Sequence, residues 1–241
     1  MTVSLASSAV DYPTFAAEWA KDGIPAPPII ATFEDQLGPN VSSLEIMTTN
    51  GCIVCLRHTP PGSDHDGAIP FTTFFLGGAF GGLSGGGAGA FQRLAKDFGG
   101  VRIHYRLASR LDECIIDVMM VFRHLAASNG LDRVALMGHS FGGGVAPAAG
   151  MMLGPKCAGV VAVAGQQVGT EFIDRLEGTP VLLIHGADDA HIPYRSAQRV
   201  FAQASEPKDM WLVPGGDHFM SGQGDALYDR LATFTRHVSR G

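Results

Sequence analysis

Hydrophobic and polar positions fall into a regular order from Leu44 onward. Leu44-Glu45-Ile46-Met47-Thr48 and Gly51-Cys52-Ile53-Val54-Cys55-Leu56 flank Thr49-Asn50, and the Asn50-Gly51 step is a turn signal, so the pair predicts a β-hairpin. Phe71-Thr72-Thr73-Phe74-Phe75-Leu76 and Val101-Arg102-Ile103-His104-Tyr105-Arg106 predict a third and a fourth strand. Between Leu111 and Ser128 the period changes. Leu111, Ile115, Ile116, Met119, Phe122 and Leu125 recur at helical spacing and predict an amphipathic helix. Apolar runs at Val134–Met137, Gly159–Ala164, Val181–Ile184 and Trp211–Val213 bring the expected strands to eight, with helices near Phe91, Phe172, Ser196 and Ala226 between them. A leading hairpin followed by alternating strands and helices predicts an α/β fold, a mostly parallel sheet covered by helices on both faces.

The first 43 residues lack this order. They are rich in proline and small residues, and only Tyr12–Asp22 suggests a short helix, with Phe15 and Trp19 one turn apart and Pro25, Pro27 and Pro28 beyond it. The expected organisation is an arm, residues 1–43, packed on a single domain, residues 44–241.

Composition narrows the classes. The chain has 241 residues, 46% hydrophobic and 17% charged, with a formal charge of −6. That describes a globular chain, and without a basic run it argues against nucleic acid as a partner. No stretch is long and apolar enough to predict a membrane helix, and the first residues lack the basic start and apolar block of a secretion signal. Cys52 and Cys55 lie three apart on a strand and so point to opposite faces. With Cys114 and Cys157 they read as free thiols, and the expected location is the cytoplasm.

The chemistry is concentrated at Gly138-His139-Ser140-Phe141-Gly142. An apolar strand precedes it and a helix start follows, which makes Ser140 a candidate nucleophile on a tight strand-to-helix turn. The flanking glycines leave room where backbones must approach closely. Pro147 falls inside the following helix and is expected to kink or shorten it. Two further loops follow apolar strands: Ala187-Asp188-Asp189-Ala190-His191-Ile192-Pro193, and Pro214-Gly215-Gly216-Asp217-His218-Phe219. A serine, then an acid, then a histidine, each beyond the carboxyl end of a strand, is an order that builds a nucleophile, an orienting carboxylate and a base. The acid is Asp189 or Asp188, and the base is His218. Gly85-Gly86-Gly87-Ala88-Gly89-Ala90 fits a dinucleotide fingerprint, but it starts nine residues after Leu76 and the next strand ends in Tyr105-Arg106, where an acid is required.

In these three segments, over the span from Leu44 to the C-terminus, the chain resembles the α/β-hydrolase family. The resemblance implies an eight-stranded α/β-hydrolase fold. It selects Asp189 over Asp188, because Ile192-Pro193 follow Asp189 at the family's interval. It implies an oxyanion hole made by the backbone N–H of Phe141 and by the loop after Leu76, where Ala79 is the expected donor and Phe80 the second choice. Many relatives carry His-Gly at that point; this chain carries Gly77-Gly78. Only Gly165–Thr179 separate two strands where relatives insert a cap, so an uncapped member is expected. Phe80, His191 and Phe219 are the expected substrate contacts. The implied activity is hydrolysis of a small or medium carboxylic ester, with no cofactor and no metal. Thioester, amide, lactone or carbon–carbon hydrolysis by the same three residues, or a ligand-binding role without catalysis, are the alternatives.

Overall fold

The structure is a computed structural model that describes residues 26–62, 69–84 and 86–240. The helix expected at Tyr12–Asp22 lies outside the described residues. Nine strands form one sheet: β1 (Ile29–Gly38), β2 (Val41–Thr48), β3 (Gly51–His58), β4 (Phe71–Leu76), β5 (Gly100–His104), β6 (Arg133–His139), β7 (Cys157–Val163), β8 (Val181–Gly186) and β9 (Lys208–Val213). Their order is β1-β2-β3-β5-β4-β6-β7-β8-β9. β1, β2 and β3 pair antiparallel, β3 joins β5 antiparallel, and from β5 to β9 every pairing is parallel.

The helices are α1 (Ala90–Phe98), α2 (Leu111–Asn129), α3 (Gly142–Leu153), α4 (Arg195–Gln203) and α5 (Gly224–Val238). Side chains alternate across a strand, so each central strand feeds two cores. Val160 and Ala162 of β7 and Val181 and Leu183 of β8 join the core under α2 and α3, with Ile115, Met119 and Val145. Val161, Val163, Leu182 and Ile184 join the core under α1 and α5, with Phe91, Leu94, Leu227 and Leu231. Because both faces are covered, these strands read in the sequence as unbroken apolar runs.

Two expectations change. The sheet has nine strands where eight were expected, because Ile29–Gly38, read as part of an irregular arm, pairs with β2 along almost its whole length. The helix expected near Phe172 is a single 3-10 turn, Ile173–Arg175, between Gly169 and Gly178, both of which have positive φ. The segment between these glycines is too short for more than a turn.

Candidate active site

Ser140 sits at the carboxyl end of β6, between the strand and α3. Its φ is +56°, a left-handed conformation that is uncommon for a residue with a side chain. The surrounding backbone imposes it. A Cβ on Gly138 would lie 1.8 Å from the carbonyl oxygen of Gly142, and one on Gly142 would lie 2.4 Å from that of Leu76. Both positions must be glycine. The turn is tied down by Ser140 N–H to the Val163 carbonyl at 2.9 Å and by Gly143 N–H to the Ser140 carbonyl at 2.9 Å. α3 runs for 12 residues with Pro147 inside it, so proline does not end the helix.

Two more strand ends complete the cluster. His218, after β9, places Nε2 3.0 Å from Ser140 Oγ. Its Nδ1 lies 2.8 Å from Asp189 Oδ2, after β8. With Nδ1 donating to the carboxylate, Nε2 is the free acceptor for the serine hydroxyl. The other Asp189 oxygen accepts the backbone N–H groups of His191 and Ile192, each at 2.8 Å. Burial alone would raise the Asp189 pKa. The Ile192 N–H, the His218 ring and the His191 N–H outweigh it and hold the carboxyl below its ordinary value.

The rival acids stand elsewhere. Asp188 is exposed. Asp217 accepts the N–H groups of Phe219 and Ser221 at 3.0 and 2.8 Å. His185 is buried under the acid turn, with Nε2 2.7 Å from the Ile192 carbonyl and 3.2 Å from Asp189 Oδ2, which suits a ring that shapes the turn.

The loop after β4 lies against Ser140. A Cβ on Gly78 would stand 3.8 Å from that of Ser140. Gly81 N–H donates to the Gly78 carbonyl at 2.9 Å. In a trans peptide this turns the Ala79 N–H the opposite way. Among the described residues the N–H groups of Ala79 and Phe141 make no hydrogen bond. The glycine run that suggested a nucleotide fingerprint has another use, since a Cβ on Gly86 would lie 2.0 Å from the His139 ring. His139 in turn places Nε2 2.8 Å from the carbonyl oxygen of His218 and supports the loop that carries that ring. Burial pushes the His139 pKa down, which keeps the ring neutral.

Two of the expected substrate contacts, His191 and Phe219, lie beside the His218 ring. The His191 ring lies 4.9 Å from that of His218 and 5.6 Å from that of Phe219. Phe80 is 96% exposed and Phe219 56%. Among the described residues, Asp189, His191 and His218 are also three side chains whose ligand atoms lie close enough for a metal ion, within 4.8 Å of one another. Two of them are already engaged with each other, so the cluster has a hydrogen-bonding explanation. A cavity of about 310 Å³ lined by His58, Pro60, Phe71, Phe98 and Leu131 opens at the other end of the strands, away from Ser140.

Solved structures share this architecture. Est1E from Butyrivibrio proteoclasticus superposes with a TM-score of 0.71 at 14% identity, covering 83% of this chain and 99% of that one. XC6422 from Xanthomonas campestris, described as an α/β serine hydrolase without lid, gives 0.63 at 16% identity over 84% and 97%. The chain has the α/β-hydrolase fold. No family model matches it. Among curated proteins, YfhR of Escherichia coli strain K12 is 33% identical over 69 residues, 27% of this chain. The match spans about a quarter of that relative's length, 24%. Within this α/β-hydrolase fold no helix among the described residues is long and apolar enough to cross a membrane.

Two further histidines, His104 and His139, carry no motif of their own in the sequence. Both hold loops of the site. The signal for His104 was a polar residue alternating with Val101 and Ile103 on an otherwise apolar strand.

Proposed function

We propose that this protein is a serine hydrolase that cleaves carboxylic esters through an acyl-enzyme. The observation that carries the reading is the continuous hydrogen-bond path from Asp189 through His218 to Ser140. Serine is a weak nucleophile unless a base removes its proton as it attacks. His218 Nε2 takes that proton and returns it to the leaving alcohol, and Asp189 holds the ring and stabilises its charged form. The Ala79 and Phe141 N–H groups receive the negative charge that develops on the carbonyl oxygen. Water then repeats the sequence on the acyl-enzyme. The residues present supply nucleophile, base and oxyanion donors, so the chemistry needs no cofactor.

Phe80, His191 and Phe219 form the rim against which the ester rests. Their apolar exposure favours an acyl or aryl group over a charged one. Est1E, a fold neighbour, has been solved with ferulic acid bound, which suits an aromatic acid at such a rim.

The test is turnover of a panel of p-nitrophenyl esters beside thioesters, amides and lactones, in wild type and Ser140→Ala. Ester hydrolysis that disappears in Ser140→Ala supports the reading. Faster turnover of a thioester or lactone than of any ester redirects the bond class, and no turnover of any member favours the binding role.

A further inference from the structure

Three side chains from β5 and the turn after it grip the backbone of loop 77–84 at successive points. Ser109 Oγ donates to the Ala79 carbonyl. His104 Nδ1 accepts the Gly82 N–H at 2.7 Å. Arg102 donates from its guanidinium to the Leu83 carbonyl at 2.6 Å. Arg102 and His104 are two apart on β5, so they share the face over which the loop passes, while Val101 and Ile103 enter the opposite core. The loop lies flat on this platform: a Cβ on Gly81 would be 3.0 Å from His104 Nδ1. Arg102 is itself held from behind, its Nε donating to His58 Nε2 at 3.1 Å.

We infer that Arg102, His104 and Ser109 are positioning residues that fix the oxyanion loop from the neighbouring strand. This rests on the hydrolase reading above and deepens it. Gly77-Gly78 offers no side chain with which to hold the loop, and the five glycine or alanine positions from Gly77 to Gly82 would otherwise leave its peptides free to rotate. Fixing carbonyls and N–H groups at Ala79, Gly82 and Leu83 leaves the Ala79 N–H aimed before substrate arrives. Such donors stabilise the transition state because they need not reorganise.

The experiment compares wild type with His104→Leu, His104→Asn and Ser109→Ala. Two readouts are taken: ester kinetics, and amide hydrogen exchange over residues 77–84. His104→Leu should lower kcat about tenfold or more, short of the ~10²–10³ lost with an oxyanion donor itself. KM should stay within about twofold, the pattern of an interaction made only in the transition state. Exchange should rise in loop 77–84 and not in the core strands. Asn places an amide oxygen near the position of Nδ1 and should restore most of kcat. Ser109→Ala, at an exposed position, should show the same split and carries the comparison if His104→Leu does not fold. Unchanged kcat and unchanged exchange in the folded variants would overturn the inference. A wild type that turns over no ester would overturn the hydrolase reading instead, and the exchange comparison would still decide whether the clamp holds the loop.

Discussion

At the scale of single residues, the turn at Ser140 depends on missing side chains. Gly138→Ala would drive a methyl group into the Gly142 carbonyl, 1.8 Å away, where backbone and not a flexible side chain must yield. Overpacking of that kind costs about 1–3 kcal/mol or more, and here it also displaces Ser140. The expected outcome is a folded but less stable protein with esterase activity reduced at least about 10²-fold, the scale of an ångström's misplacement; denaturant unfolding and initial rates check it. Asp189→Asn keeps the shape of the acid but reverses what His218 Nδ1 can donate to. Loss of kcat of about 10⁴-fold is expected, as for other enzymes in which the wrong ring tautomer is enforced. Activity within tenfold of wild type would transfer the orienting role away from Asp189. In wild type the depressed Asp189 pKa keeps this carboxylate ionised well into acid.

Elements carry the second set of consequences. The Arg106 guanidinium and the Asp117 carboxylate are both fully buried and bonded to each other, joining the end of β5 to α2. Arg106 also reaches Glu113 at 2.9 Å, and its backbone N–H donates to Asp117 at 2.8 Å. Asp117→Ala would leave the buried cation with Glu113 as its one carboxylate partner, at a cost of up to about 3–5 kcal/mol, and Arg106→Met in the same chain should recover a large part of it. Urea denaturation of the single and double variants decides this. The pair lies next to the turn from which Ser109 reaches the Ala79 carbonyl, so its loss should also lower kcat. Most elements were legible because the central parallel strands, covered on both sides, spell unbroken apolar runs. β1 was not, since it lies at the sheet edge with Ile29, Ile30, Phe33 and Leu37 exposed, and neither face gives an inside–outside alternation. The Ser140, Asp189 and His218 segments were legible as an ordered motif. The clamp was not, because hydrogen bonds to a neighbouring loop's backbone leave no spacing signature.

For the whole molecule, two properties follow from how charge and apolar surface are distributed. His58 is buried beside Arg102 and Lys96, and desolvation first, then these cations, pushes its pKa down to about 4 from 6.5. The folded state therefore refuses a proton that the unfolded chain accepts. The His58 contribution to stability is fully present above about pH 6.5 and falls as pH drops toward 4. His124 and His139 shift in the same direction and add to the slope. His58→Gln keeps an acceptor for Arg102 without the titration, so its unfolding free energy should differ less between about pH 7 and about pH 4.5 than that of wild type. An unchanged slope would remove His58 from this account. The second property is the apolar rim. Phe80, Leu107, Val168 and Phe219 are exposed in the loops that follow β4, β5, β7 and β9. Each methylene that reaches such a surface stabilises by at most ~0.8 kcal/mol, about fourfold in kcat/KM. Butyrate and hexanoate esters should outrun acetate, and Phe80→Ser should narrow the difference.

The central claim is that Ser140 is an activated nucleophile. Covalent labelling with a fluorophosphonate, located by peptide mass mapping in wild type and Ser140→Ala, tests it most directly. The account predicts one stoichiometric adduct on the peptide that carries Ser140, absent from the variant and slowed in Asp189→Asn. An adduct on a different serine, or none at any serine of the folded protein, would contradict it.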